Sequence, residues 1–171
     1  MTARQFPRFD ETTAPLAARQ SLSETKRGFG MIPEPLARYA SSPLMLTTAL
    51  AGLEAFEKGT LAALEREVLA MTMGRRNGCQ FCLAFHRRLL AAQHAPAELV
   101  AALESGEPLS DPRLEALRGF VLALLDQRGD VSPEAWTTFR EAGYTHEQAL
   151  EVVTGVAVYT LTTFANRLVE V

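Results

Sequence analysis

Two thiols, an imidazole and a carboxylate within residues 67–86 are the side chains of this sequence best suited to chemistry. Cys79 and Cys82 are its two cysteines, with His86 four positions beyond Cys82 and Glu67 twelve before Cys79. Asn77-Gly78 is a strong turn signal, so Cys79 is expected to stand at the start of a helix, with Cys82 one turn inside it. Residues at i, i+3 and i+7 share a helical face, which lets both sulfurs and the imidazole point into one pocket. Glu67, on the preceding helix, reaches that pocket if the two helices fold back on each other at the Gly74–Gly78 turn.

Each residue type answers a chemical need. The thiolate is the nucleophile, and free cysteine, with a pKa of about 8.5, stays mostly protonated at neutral pH until a helix N-terminus or a nearby cation lowers it. Here the unpaired amides of the first turn face the sulfurs. His86 can accept a proton from Cys82 while Glu67 orients the ring, which makes a Glu-His-Cys relay. A second thiol three residues away can attack the first after oxidation, turning a sulfenic acid into a disulfide. Arg75, Arg76, Arg87 and Arg88 bracket the cysteines, and no acidic residue lies between Val68 and Ala97. Removing those four from the 17 basic residues leaves 13 against 20 acidic ones. The segment is therefore cationic in an acidic chain, which favours the thiolate and attracts an acidic substrate or carrier domain.

Rival readings of the same residues exist. Two helical cysteines can serve as small buried apolar groups. Cys79, Cys82, His86 and Glu67 also make up a four-ligand zinc set, although short Cys-Cys zinc sites usually draw a second ligand pair from elsewhere. A thioredoxin-like oxidoreductase places its Cys-x2-Cys after a strand, and strand signals are weak here. Among other polar candidates, His94 before Ala95-Pro96 reads as a helix-terminal residue, and His146 as a solvated start of the last helix. Trp136 and Phe139 read as core packing. Met71 and Met73 either line the thiol pocket or fill space.

The elements that must position these groups read as all-α. At 171 residues, 47% apolar and 22% charged, the chain has the size and composition of a single domain with its own core. The net charge of −3 argues against broad nucleic-acid binding. Two cysteines three apart cannot staple a secreted scaffold. Met1 to Gln20 hold no apolar run like a signal peptide, so a cytoplasmic location is expected. Val152 to Ala165, the longest apolar stretch, falls short of the ~20 residues of a membrane span. Ser42-Pro43, Asp111-Pro112 and Ser132-Pro133 are helix starts, and Gly59, Gly74, Gly106, Gly129 and Gly143 are candidate C-terminal caps. Helices are expected near 15–27, 35–41, 43–58, 60–73, 79–94, 96–105, 112–128, 133–142 and 146–169, with Pro-Glu-Pro at 33–35 marking an irregular connection.

Apolar spacing agrees, as in Leu64, Val68 and Met71, and in Leu114, Leu117, Val121, Leu124 and Leu125. The last helix opens with a Thr145–Gln148 capping box and carries Leu150, Val153, Ala157, Leu161, Phe164 and Leu168 on one side. Val152, Val156 and Tyr159 make the other side apolar too, which points to a central position or a subunit interface, the latter favoured. Gly155 and the β-branched residues leave a strand over 152–162 as the competing reading.

The pattern Glu-x11-Cys-x2-Cys-x3-His closely resembles the core of the alkylhydroperoxidase AhpD-like branch of the carboxymuconolactone decarboxylase superfamily. Gly28-Phe-Gly-Met-Ile-Pro33, Ser42-Pro43-Leu44-Met45-Leu46, Gly59-Thr-Leu61, Glu65-Arg-Glu67-Val-Leu-Ala70, Asn77-Gly78 and Phe164-Ala-Asn166 look like its peroxidase-related members. The likeness spans most of residues 28–168, giving a single domain with an N-terminal arm (1–27) and a core (28–168). It implies an oligomeric helical bundle and a thiol-dependent reductase of small alkyl hydroperoxides, with no tightly bound cofactor. Electrons would come from an external dithiol such as dihydrolipoamide. By position, Cys82 would be the peroxide-reactive thiol, Cys79 the resolving thiol, and His86 and Glu67 the proton relay. Phe81 stands where the family commonly has Tyr or His, so no polar role is expected there. The alternatives are a redox-sensing or zinc-binding regulatory protein using the same site, or a decarboxylase of the wider superfamily, whose chemistry does not require two adjacent thiols.

Overall fold

The computed structural model describes residues 5–171, and in them the chain forms α1 (Leu16–Phe29), α2 (Glu34–Tyr39), α3 (Pro43–Glu57), α4 (Ala63–Arg76), α5 (Gln80–Ala92), α6 (Ala97–Ser105), α7 (Pro112–Asp126), α8 (Pro133–Glu141) and α9 (His146–Leu168). No strand occurs among the described residues. The expected starts hold through the predicted chemistry. Ser42 Oγ accepts the Met45 amide, the Asp111 carboxylate accepts those of Arg113 and Leu114, and Ser132 Oγ accepts that of Ala135. Thr145 and Gln148 complete the capping box of α9. Each bond satisfies an amide that the first helical turn leaves without a partner.

α4 is the hub, packing on α5, α6, α7 and α9. Every side chain from Glu67 to Met73 is buried, so this helix is covered on all sides. It begins three residues later than the expected 60–73. The carboxylate of Glu151 on α9 takes the amides of Thr60 and Leu61 at 2.7 and 3.1 Å, which holds that stretch as a lead-in. Glu65 takes the Ala62 amide at 2.8 Å and Arg113 Nε at 3.0 Å. Of the five glycines expected as C-terminal caps, Gly106, Gly129 and Gly143 are left-handed, whereas Gly59 is not and Gly74 lies inside α4.

Two apolar clusters hold the helices. The larger joins α4 to α6–α9 and contains Met71, Met73, Phe120 and Phe139, so both methionines fill core space; Trp136 packs against it. The smaller joins α1, α2, α3 and Val169.

α9 is one continuous helix, not a strand over 152–162. The hydroxyls of Thr154, Thr160 and Thr162 donate to carbonyls four residues back, which accommodates β-branched residues in helical geometry. Its buried face is Val152, Gly155, Val158, Tyr159, Thr162, Thr163 and Asn166. The stripe containing Leu150 and Phe164 faces outward, with those two residues 71% and 57% exposed. The helix is therefore central on one side and uncovered on the other.

Gly155 is where α9 passes closest to α3 and α4. A Cβ there would lie 2.7 Å from the Phe56 ring and 2.8 Å from Leu69. Gly155→Ala should destabilise the protein by about 1–3 kcal/mol through overpacking, although alanine is the better helix former. Gly119 on α7 has nothing within 4 Å, so Gly119→Ala should stabilise by up to about 1 kcal/mol. Urea unfolding of the two variants measures both signs.

Candidate active site

The two helices carrying the predicted groups meet where a glycine removes the obstacle. A Cβ on Gly74 would lie 3.2 Å from Cys82 Cβ, so α5 crosses α4 at that point in near contact. The intervening turn needs the left-handed backbone of Gly78 (φ +65°). It is tied to α9 at two places. Asn77 Nδ2 donates to Thr163 Oγ1 at 2.9 Å, and Arg167 Nη1 donates to the Asn77 carbonyl at 2.8 Å. Cys79 is the N-cap of α5, and its sulfur accepts the Cys82 amide at 3.4 Å. This is the arrangement expected from the sequence.

Both thiols are free, and both are buried, at 1% and 5% exposure. Their sulfurs lie 2.7 Å apart and share a hydrogen bond. The Cys82 thiol beside it, aided by the Cys82 amide, the Asn166 carboxamide and the charge of His86, pulls Cys79 down from its ordinary value to about 6. Cys82 is pushed well up, first by sharing its proton with Cys79 and then by burial. The resting pair is thus one thiolate and one thiol, with the negative charge weighted to Cys79. A disulfide needs the sulfurs to close by about 0.7 Å.

His86 Nδ1 and Glu67 Oε2 lie 2.8 Å apart, both side chains buried. With Glu67 ionised, Nδ1–H donates to the carboxylate and fixes the ring. The ring packs edge-on against Phe85 and Tyr159, each with its centroid 5.4 Å away. No hydrogen bond joins His86 to either sulfur among the described residues, so the Glu-His half of the expected relay is formed and the His-Cys half is open. The opening is a cavity of about 420 Å³ lined by Cys82, His86 and Glu67, walled by apolar residues that include Phe29, Leu36, Phe81 and Phe85. Cys79 does not line it.

The remaining sequence expectations fall out as follows. Phe81 contributes an apolar wall and stacks near Phe85 at 6.0 Å. His94 sits in the left-handed turn after α5 (φ +55°), exposed, and is helix-terminal. His146 begins α9, exposed, against Trp136. Among the described residues no three His, Cys, Asp or Glu side chains are grouped to hold a metal ion.

Two of the four arginines of the cationic segment are paired with acids from other helices. Arg76 pairs with Asp126 at 2.6 Å and Arg87 with Glu104, while Arg75 donates to the Ser105 carbonyl and lies across Gly106. The two acids come from α7 and α6, outside the acid-free segment. Sequence reasoning also passed over Asn166 and Tyr39 as site residues. Asn166 Nδ2 approaches Cys82 Sγ at 3.3 Å and Cys79 Sγ at 3.6 Å. Its only sequence signal is the Phe164-Ala-Asn166 resemblance.

Residues 44–123, which include the cysteines, match the model of the carboxymuconolactone decarboxylase family. No curated protein matches the chain. Among solved structures, the chain is similar to an uncharacterized peroxidase-related protein from Ralstonia eutropha JMP134, described as an alkylhydroperoxidase AhpD core. The two share 21% identity, with 95% of this chain and 88% of that one covered and a TM-score of 0.83. It is also similar to an uncharacterized peroxidase-related protein from Silicibacter sp. TM1040, at 19% identity, 95% and 86% coverage and a TM-score of 0.77. The chain thus matches the carboxymuconolactone decarboxylase family model over residues 44–123 and shares the fold of these two peroxidase-related proteins.

Proposed function

We propose that the protein is a thiol peroxidase that reduces a small organic hydroperoxide at Cys82 and passes through a Cys79–Cys82 disulfide. The observation that carries this reading is that Cys82 and His86 line one apolar cavity, with the second sulfur 2.7 Å behind the first. Cys82 gives its proton to the Cys79 thiolate and attacks the outer peroxide oxygen. The O–O bond breaks, and the departing alkoxide takes a proton from imidazolium His86, leaving an alcohol and a Cys82 sulfenic acid. Cys79 then attacks the Cys82 sulfur, and its proton leaves with the hydroxyl as water. One hydroperoxide thus oxidises two thiols by two electrons, and His86 regains its proton from solvent. The open space between His86 and Cys82 is where the peroxide oxygens complete the relay.

An external dithiol, such as dihydrolipoamide alone or on an acidic carrier domain, would return the disulfide to two thiols in the cytoplasm. Among the described residues no helix is long and apolar enough to cross a membrane. The same proposal includes a homo-oligomer in which a second copy covers the outer stripe of α9. Light scattering should then show more than one chain per particle, and Phe164→Glu should reduce that number.

Adding one equivalent of an alkyl hydroperoxide should consume two thiols per chain, and dihydrolipoamide should restore both. Cys82→Ser should abolish the reaction, whereas Cys79→Ser should leave a sulfenic acid on Cys82; the reverse pattern would exchange the roles. A disulfide that forms but turns over with no dithiol would mark a redox sensor instead.

The shared proton makes a separate claim. Thiolate absorbance of the reduced protein should rise by one thiolate per chain with a midpoint near pH 6, because Cys79 is lowered to about 6. The second thiolate should appear only well above the ordinary cysteine range, because Cys82 is raised.

A further inference from the structure

The carboxamide of Asn166 lies 3% exposed between the two sulfurs and a tyrosine. On the tyrosine side, the Tyr39 hydroxyl of α2 meets Asn166 Oδ1 and, at 2.9 Å, the Thr162 carbonyl. On the sulfur side, Nδ2 reaches Cys82 at 3.3 Å and Cys79 at 3.6 Å.

We propose that Asn166, held in one orientation by Tyr39, is a positioning residue for the thiolate, donating its amide hydrogens to whichever of the two sulfurs carries the charge.

Proton counting decides which end of the carboxamide faces the sulfurs. The pair holds one proton at rest, and that proton is already engaged between Cys82 and Cys79. Neither sulfur has a hydrogen left to offer an oxygen, so an Oδ1 turned toward them would face a thiolate as one acceptor against another. The NH₂ end has two hydrogens, one for each sulfur. Tyr39 supports the choice from behind, because its single hydroxyl hydrogen, which the Thr162 carbonyl can also accept, finds a second acceptor in Oδ1. Burial pushes the tyrosine hydroxyl far above its ordinary value, so it remains a donor throughout the working pH range.

This places a fixed donor on both ends of the proton transfer that the proposed cycle requires. When charge moves from Cys79 to Cys82 before attack, the amide already touches the sulfur that receives it, and no group must turn. A hydrogen bond to a charged acceptor is stronger than one to a neutral thiol, so the contact favours the anion over the protonated pair. The titratable groups facing this cluster are Tyr39 from α2, Glu67 from α4, His86 from α5 and Tyr159 from α9, besides the sulfurs themselves.

The inference rests on the thiolate pair of the proposed peroxidase, yet it can be read without any turnover. Ultraviolet absorbance of the reduced protein at increasing pH gives the midpoint of thiolate formation, with circular dichroism to check the fold. Asn166→Ala should raise the midpoint by about one pH unit, the size expected for losing one bond to a charged group. Asn166→Asp, nearly isosteric, should raise it further by putting an acceptor where the donor was. Tyr39→Phe should give a smaller rise by letting the carboxamide turn. An unchanged midpoint in a folded Asn166→Ala or Asn166→Asp protein overturns the proposal, and an unchanged midpoint in Tyr39→Phe overturns the orienting role. If the wild type fails to reduce hydroperoxides while these shifts appear, the peroxidase reading falls and the positioning role stands.

Discussion

The near contact of α5 with α4 at Gly74 is the constraint on which the rest of the site depends. A larger residue there would have to displace Cys82 by at least a few tenths of an ångström, on the same helix pair across which Glu67 meets His86. The crossing also sets the depth of the sulfurs, because the N-cap of α5 is pinned to α4 by the bond from the Cys79 amide to the Gly74 carbonyl at 2.9 Å. Two further anchors from α9, through Asn77 and Arg167, keep the turn from opening. The thiol pair at the start of α5 therefore lies against the buried surface of α4 and is held from both α4 and α9.

That depth would be costly without compensation, since unpaired polar groups in a dry interior lose the hydrogen bonds that water gave them. Several polar side chains around the sulfurs are paired. Glu67 has His86, Asn166 has Tyr39 and the cysteines, and Asn77 has Thr163. Glu65, two residues before Glu67, faces the other way and serves structure, joining the start of α4 to Arg113, whose guanidinium lies 4.1 Å above the Tyr144 ring. Two carboxylates two residues apart on one helix thus do different work because a helix sends them to different neighbours.

How much of this could be read from the sequence follows from distance along the chain. The cysteine, histidine and glutamate geometry was legible because three of the four lie on one helix and the fourth on its neighbour, so helical periodicity and one turn signal suffice. Most helix starts were legible because capping is local chemistry. Gly74 was misread as a cap because a glycine required by a passing helix looks, in sequence, like a glycine required by a turn. The partners of Arg76 and Arg87 were not legible because Asp126 and Glu104 enter from other helices. Tyr39 and Asn166 are separated by 127 positions, and only the folded chain brings them together. Both sides of α9 carry apolar residues, so composition alone could not say which side the chain itself would bury.

One feature of the cavity bears on how the proposed cycle must run in time. Cys82 opens onto the cavity and Cys79 lies behind it, so the disulfide formed by the oxidant would present only its Cys82 sulfur to an arriving reductant. Oxidant and reductant would have to enter by the same mouth and leave before the other could come in. The two half-reactions would then alternate without a ternary complex, and an excess of either partner would keep the other waiting. A buried resolving thiol in this way turns a choice of depth into an order of events.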